Sequence, residues 1–138
     1  MPASRTPRGS TRGTVYRAIA RLRLQDAAAL LNSRRYNGSI YLAGYAVECH
    51  LKFAFCERKG FTYLPAELEV HNWDALVVAA GLVAEINAQR KMSALYSALA
   101  ESWGPSLRYR TTNYAANEAA RLYKEMEELY QFLTELVP

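Results

Sequence analysis

Residues 40–56 read Ile40-Tyr41-Leu42-Ala43-Gly44-Tyr45-Ala46-Val47-Glu48-Cys49-His50-Leu51-Lys52-Phe53-Ala54-Phe55-Cys56, and only Glu48, His50 and Lys52 among them are strongly polar. A helix apolar nearly all round is buried on most of its sides, so this segment predicts the central helix of an α-helical core. At about 100° per residue, Ile40, Ala43, Gly44, Val47, Leu51 and Ala54 gather on one side. Glycine inside a helix costs about 1 kcal/mol relative to alanine, so close packing against a neighbour should compensate at Gly44. A second stripe collects Asn37, Tyr41, Tyr45, Glu48, Lys52 and Phe55. Glu48 and Lys52 stand in the favourable i, i+4 order. That stripe reads either as a solvated face with one ordinary ion pair or as a contact surface for a second subunit. In the second case a basic group from elsewhere holds Glu48, and Arg108 is the first candidate.

Working outward, the central helix spans about residues 37–59. Gly60 suits a C-terminal cap, and Arg58 and Lys59 suit the negative end of the helix dipole. Upstream, Val15, Ile19, Leu22, Ala29 and Leu30 recur at helical spacing and predict a first helix over 15–32, followed by a break at 33–38. Downstream, residues 60–72 form a loop, Asn72 is a helix N-cap, and a short helix runs through Ala79 to an interruption at Gly81. Ile86, Met92, Leu95 and Leu99 carry the next helical pattern, which Gly104-Pro105 ends. Residues 104–114 (GPSLRYRTTNY) form a basic, aromatic loop. A last helix over 115–136 buries Ala119, Leu122, Met126, Leu129, Leu133 and Leu136. The predicted fold is all-α: an antiparallel up-and-down helical bundle of four long helices plus one short helix.

The 138 residues are one domain's length, with hydrophobic residues at 51% and charged residues at 22%, which excludes a disordered chain or a disulfide scaffold. No apolar run approaches the roughly 20 residues of a membrane span. The net charge of +4 is uneven. Residues 1–35 hold eight arginines against Asp26 alone, a net +7, while residues 36–138 hold nine basic and twelve acidic groups, a net −3. Residues 1–14 contain little that can be buried and carry no apolar signal segment. They read as a disordered basic tail ahead of a folded domain over 15–138, in a cytoplasmic protein. Cys49 and Cys56 lie two helical turns, roughly 10 Å, apart, too far for a disulfide, and read as buried core thiols. His50 reads as structural or exposed, and His71 as a capping or loop hydrogen-bonding residue. No metal ligand set or cofactor motif is present, nor a Gly-rich phosphate loop, H-E-x-x-H or G-x-S-x-G.

The string Tyr41 to Lys52 (YLAGYAVECHLK) resembles a signature of the HEPN family (higher eukaryotes and prokaryotes nucleotide-binding domains), whose second helix carries a similar LAGYAVEC-x-LK segment. Three further likenesses follow the family's order. Leu24-Gln-Asp-Ala-Ala-Ala-Leu-Leu is similar to its first helix, His71 with Leu76 to the start of its short third helix, and Trp103 with Arg108-Tyr109 to the W…RY before its last helix. Together they cover about residues 15–137. The resemblance implies a helical bundle that forms a homodimer. It also implies prokaryotic company: toxin–antitoxin pairs with a minimal nucleotidyltransferase, or defence modules. Many family members are metal-independent ribonucleases that use an Arg, four to six residues and a His near the start of the last long helix.

Here that segment reads Arg108-Tyr109-Arg110-Thr111-Thr112-Asn113-Tyr114, and no histidine follows His71. Asparagine hydrogen-bonds but does not exchange a proton near neutral pH, so Asn113 does not replace the histidine as a general acid or base. The sequence therefore points first to a non-catalytic module that binds RNA, a nucleotide or a partner protein through Tyr41, Tyr45, Glu48, Lys52, Arg108, Tyr109, Arg110, Asn113 and Tyr114. One alternative is a variant ribonuclease toxin, with Arg108 on the phosphate and His71 or Tyr114 transferring the proton. Another is a structural adaptor for a minimal nucleotidyltransferase. The bland reading of 104–114 is a solvated loop in which Arg108 pairs with Glu48.

Overall fold

A computed structural model describes residues 8–138 and is all-α apart from one small strand pair. Four long helices, α1 (Gly13–Asn32), α2 (Tyr36–Lys59), α5 (Arg90–Ser102) and α6 (Ala116–Leu136), form the bundle. Two short helices, α3 (Trp73–Ala80) and α4 (Val83–Asn87), lie between α2 and α5. Strands β1 (Arg8–Arg12) and β2 (Tyr63–Pro65) pair antiparallel. Chain direction follows from which ends meet. Asn37 at the start of α2 bonds Arg110 and Thr112 just ahead of α6, while Arg58 and His50 reach Leu136 and Val137 at its end. α2 and α6 therefore run side by side in the same direction. α1 and α5 run the other way, as an up-and-down order requires.

Local chemistry explains the boundaries. α1 turns into α2 through Ser33-Arg34-Arg35, with Arg34 in the left-handed region at φ 61°. α2 ends at Gly60 (φ 74°) and α3 at Gly81 (φ 73°), both left-handed positions that glycine adopts without a Cβ penalty. The Asn72 side chain caps α3 by accepting from Ala75 N at 3.1 Å. Every residue from Ala46 to Cys56 is buried, so the expectation of a central helix buried on most of its sides holds.

Three expectations change. Residues 8–14, placed in a disordered tail, instead form β1 and the first turn of α1. Gly13 N donates to Thr62 O at 3.0 Å, and the Arg12 guanidinium lies 5.1 Å over the Tyr63 ring. The rest of that expected tail, residues 1–7, lies outside the described residues. The pattern read as one helix from Ile86 onward is split in two, because the chain leaves helical geometry at Gln89 (φ −113°, ψ 103°), giving two short helices rather than one. The face of α1 that meets the core is not the Val15–Ile19–Leu22 stripe. Gly13, Ala20 and Ala27 are buried while Val15 and Leu22 are exposed. Small side chains let α1 lie tightly on α2, where Ser39 Oγ donates to the Ala27 carbonyl at 2.8 Å.

Candidate functional site

The polar residues of α2 converge inside the chain. Glu48 is fully buried and Lys52 nearly so, and Lys52 Nζ lies 2.9 Å from Glu48 Oε2. From the segment before α3, His71 Nδ1 approaches Glu48 Oε1 at 3.1 Å and Oε2 at 3.2 Å. Lys52 Nζ also sits 5.4 Å from the centroid of the Tyr16 ring on α1. A buried carboxylate persists only when paired and hydrogen-bonded, and here a lysine and an imidazole together do that. Because a carboxylate accepts, Nδ1 is the donating nitrogen of His71, and Nε2 is left as the ring's other hydrogen-bonding atom.

His71 remains half exposed and lines an open cavity of about 470 Å³ together with Trp73, Asp74, Trp103, Gly104 and Pro105. Trp73 Nε1 is buried and has no hydrogen-bond partner among the described residues. Behind the cavity four rings form a column. Tyr45 stacks on Tyr41 (6.4 Å), Tyr41 on Trp103 (5.9 Å) and Trp103 on Trp73 (5.3 Å). Trp103 Nε1 donates to the Tyr41 carbonyl at 3.2 Å, with the indole lying directly over Gly44. Burial pushes the Tyr45 phenol up, and it pushes the Cys49 thiol up to about 11, so Cys49 stays protonated near neutral pH and is no nucleophile. Both cysteines are free and buried, as their spacing predicts.

The charged part of the α2 stripe, Glu48 and Lys52, is thus not a solvated face, while Asn37, Tyr41 and Tyr45 are partly buried. The stripe's charged and aromatic members make contacts within the chain. Arg108 does not hold Glu48. Its Nε donates to the Pro105 carbonyl at 3.1 Å, and its guanidinium lies 5.6 Å over Tyr109. Within the chain, Arg108 and Tyr109 make no contact with Glu48 or Lys52 among the described residues.

A second array stands apart in the loop before α6. Pro105–Tyr109 makes a 3-10 turn, and Tyr109 is 78% exposed. Arg110 Nε donates to Thr112 O at 2.8 Å, and its guanidinium lies 3.9 Å over the Tyr114 ring. Asn37 clamps the loop. Its Nδ2 donates to Arg110 O (3.2 Å) and Thr112 O (3.0 Å), and its Oδ1 accepts from Tyr114 N (3.1 Å). Asn113 is exposed beside them. Arg110 and Tyr114 line an open groove of about 440 Å³ that also includes Leu107, Glu118 and Arg121.

Of the three candidate catalytic residues, Arg108 is bonded to a residue of the His71 cavity, while Tyr114 lies in the other groove. Sequence reading missed the clamping role of Asn37 and the acid partner of His71. Asn37 sits more than 70 positions from its partners and His71 sits 23 from Glu48. No local spacing signals either. Among the described residues no group of three or more His, Cys, Asp or Glu is placed to hold a metal ion, and no helix is long and apolar enough to cross a membrane. Compared with family models, curated proteins and solved structures, the chain has no match.

Proposed function

We propose that this chain is a HEPN-like, homodimeric helical module that binds RNA or a nucleotide without cutting it, in a prokaryotic toxin–antitoxin or defence setting. The observation that carries the reading is the clamped loop with its two arginine–tyrosine pairs, Arg108–Tyr109 and Arg110–Tyr114. Guanidinium groups take phosphate oxygens, and exposed aromatic faces stack on bases with little sequence preference. Holding the loop through Asn37 lowers the entropy lost when a strand docks. The test is fluorescence anisotropy with a labelled single-stranded RNA across a salt series. Affinity should fall as salt rises, and the Arg108→Ala/Arg110→Ala variant should bind more weakly, with its salt slope reduced by about two. Salt-insensitive binding, or a variant indistinguishable from the parent, defeats the reading.

One observation favours a second reading, a variant ribonuclease. The buried Glu48 carboxylate orients His71 beside a cavity lined by Trp73 and Trp103, and Arg108 is tied to Pro105 of the same lining. A carboxylate-held imidazole suits general acid–base work, and an arginine suits the phosphate charge. This reading requires RNA cleavage in the presence of a metal chelator, abolished by His71→Ala and by Arg108→Ala. Intact RNA at micromolar protein removes it.

A further inference from the structure

On the side of the molecule where α1 begins and α6 ends, a cavity of about 430 Å³ is lined by Thr14, Arg17, Arg21, His50, Tyr130 and Thr134. It shares no lining residue with the His71 cavity or the Arg110 groove. Arg17 and Arg21 are one turn apart on α1, and both are exposed. Neither is in an ion pair among the described residues, and no Asp or Glu lines the cavity, whose wall also includes Pro138. Arg17 is steadied by the Phe53 ring, 5.6 Å from its guanidinium carbon. The positive end of the α1 dipole adds to the same field.

The inner wall is His50, 1% exposed, held by a 2.9 Å bond from Nε2 to the Val137 carbonyl and by ring contacts with Phe53 and Tyr130. That bond makes Nε2 the donating nitrogen, so in the neutral ring Nδ1 is an acceptor. Nδ1 is buried and has no partner among the described residues. Both guanidinium charges also act on the Tyr130 phenol, opposing the effect of its burial. Two arginines in no ion pair and a hydroxyl at the helix start, against the buried His50 ring, are what the phosphate of a small ligand would meet. The volume lies within the range of small-ligand sites.

We infer that the cavity between the first turns of α1 and the end of α6 binds a small phosphate monoester, its phosphate held by Arg17 and Arg21. The inference does not rest on the proposed function, because it uses other residues on another face. Isothermal titration calorimetry at fixed ionic strength, with ribose 5-phosphate, inorganic phosphate and ribose as probes, tests it. Saturable one-to-one binding of ribose 5-phosphate is expected, with none of ribose. Arg17→Gln/Arg21→Gln should bind at least about tenfold more weakly, while Arg108→Ala/Arg110→Ala should bind as the parent does. Inorganic phosphate binding as tightly as the ester would overturn recognition of a monoester. Tighter binding of the ester would support recognition of the attached sugar as well. Arg21→Gln alone, a change at an exposed helix position in no ion pair, should also weaken binding and guards against a folding defect in the double variant. Absence of saturable binding of both phosphate probes, unchanged affinity in the α1 variants, or equal loss in the loop variant overturns the inference.

Discussion

Glu48 shows how one side chain changes meaning with its surroundings. On an exposed helix an i, i+4 Glu–Lys pair is worth a few tenths of a kcal/mol. With Glu48 at 0% and Lys52 at 5% exposure the balance is different, because removing one partner strands a buried charge. Glu48→Ala should therefore lower unfolding stability by about 3–5 kcal/mol, and the double variant Glu48→Leu/Lys52→Met should recover much of that loss, as read by urea denaturation. His50 carries a second residue-scale prediction. Its pKa lies below the ordinary histidine value, chiefly because burial disfavours the charged ring, with the nearby Arg17 charge acting the same way. The unfolded chain then binds the proton more readily than the folded one. Stability is complete above about pH 6.5 and declines as pH falls from there toward the folded value, by at most about 1.4 kcal/mol per pH unit for one proton. His50→Gln should flatten that part of the stability-versus-pH curve. An unchanged slope would place the titration elsewhere.

Among the elements, α2 and the end of α5 are joined by the Trp103 indole resting on Gly44. A methyl group at Gly44 would fall well inside contact distance of the indole nitrogen and its neighbouring carbons. Gly44→Ala should destabilise by about 1–3 kcal/mol despite alanine's better helix propensity, and the Trp103 environment should change in near-ultraviolet circular dichroism. Gly60 offers the contrasting case, since open space surrounds it and only its φ of 74° matters. Gly60→Ala should cost about 1 kcal/mol through backbone strain alone. Gly44 was legible as a close-approach site from its place among alanines and aliphatics, but a helix backbone and an aromatic ring are equally good partners on that evidence. The inward face of α1 was not legible. Val15, Ile19 and Leu22 look like a core stripe by hydrophobicity, yet tight packing on α2 selects the smaller Ala20 and Ala27.

For the whole molecule, the uneven charge acquires a geography. Within the net +7 of residues 1–35, Arg17 and Arg21 face the cavity near the end of α6, while Arg108 and Arg110 lie on the loop ahead of α6 within a net-acidic body. The proposed homodimer should give a mass twice 15.6 kDa in sedimentation equilibrium. Because Lys52 is buried on Glu48 inside one chain, Lys52→Met should leave that mass unchanged at protein concentrations where the variant is folded. Dissociation by Lys52→Met would restore α2 as a subunit contact.

By itself the sequence determined the helical class, the buried central helix, the caps at Gly60 and Asn72, the interruption at Gly81, and the identity of the basic, aromatic loop. These follow from periodicity and local backbone chemistry, which act over a few residues. Tertiary structure decided that His71 rather than Arg108 partners Glu48, that Asn37 clamps the loop before α6, that residues 8–12 pair with β2, and that Arg17, Arg21 and His50 share a cavity. Each of these joins residues far apart in the chain. Their meeting is set by how whole helices pack to bury apolar surface, a sum over the molecule that no local spacing encodes.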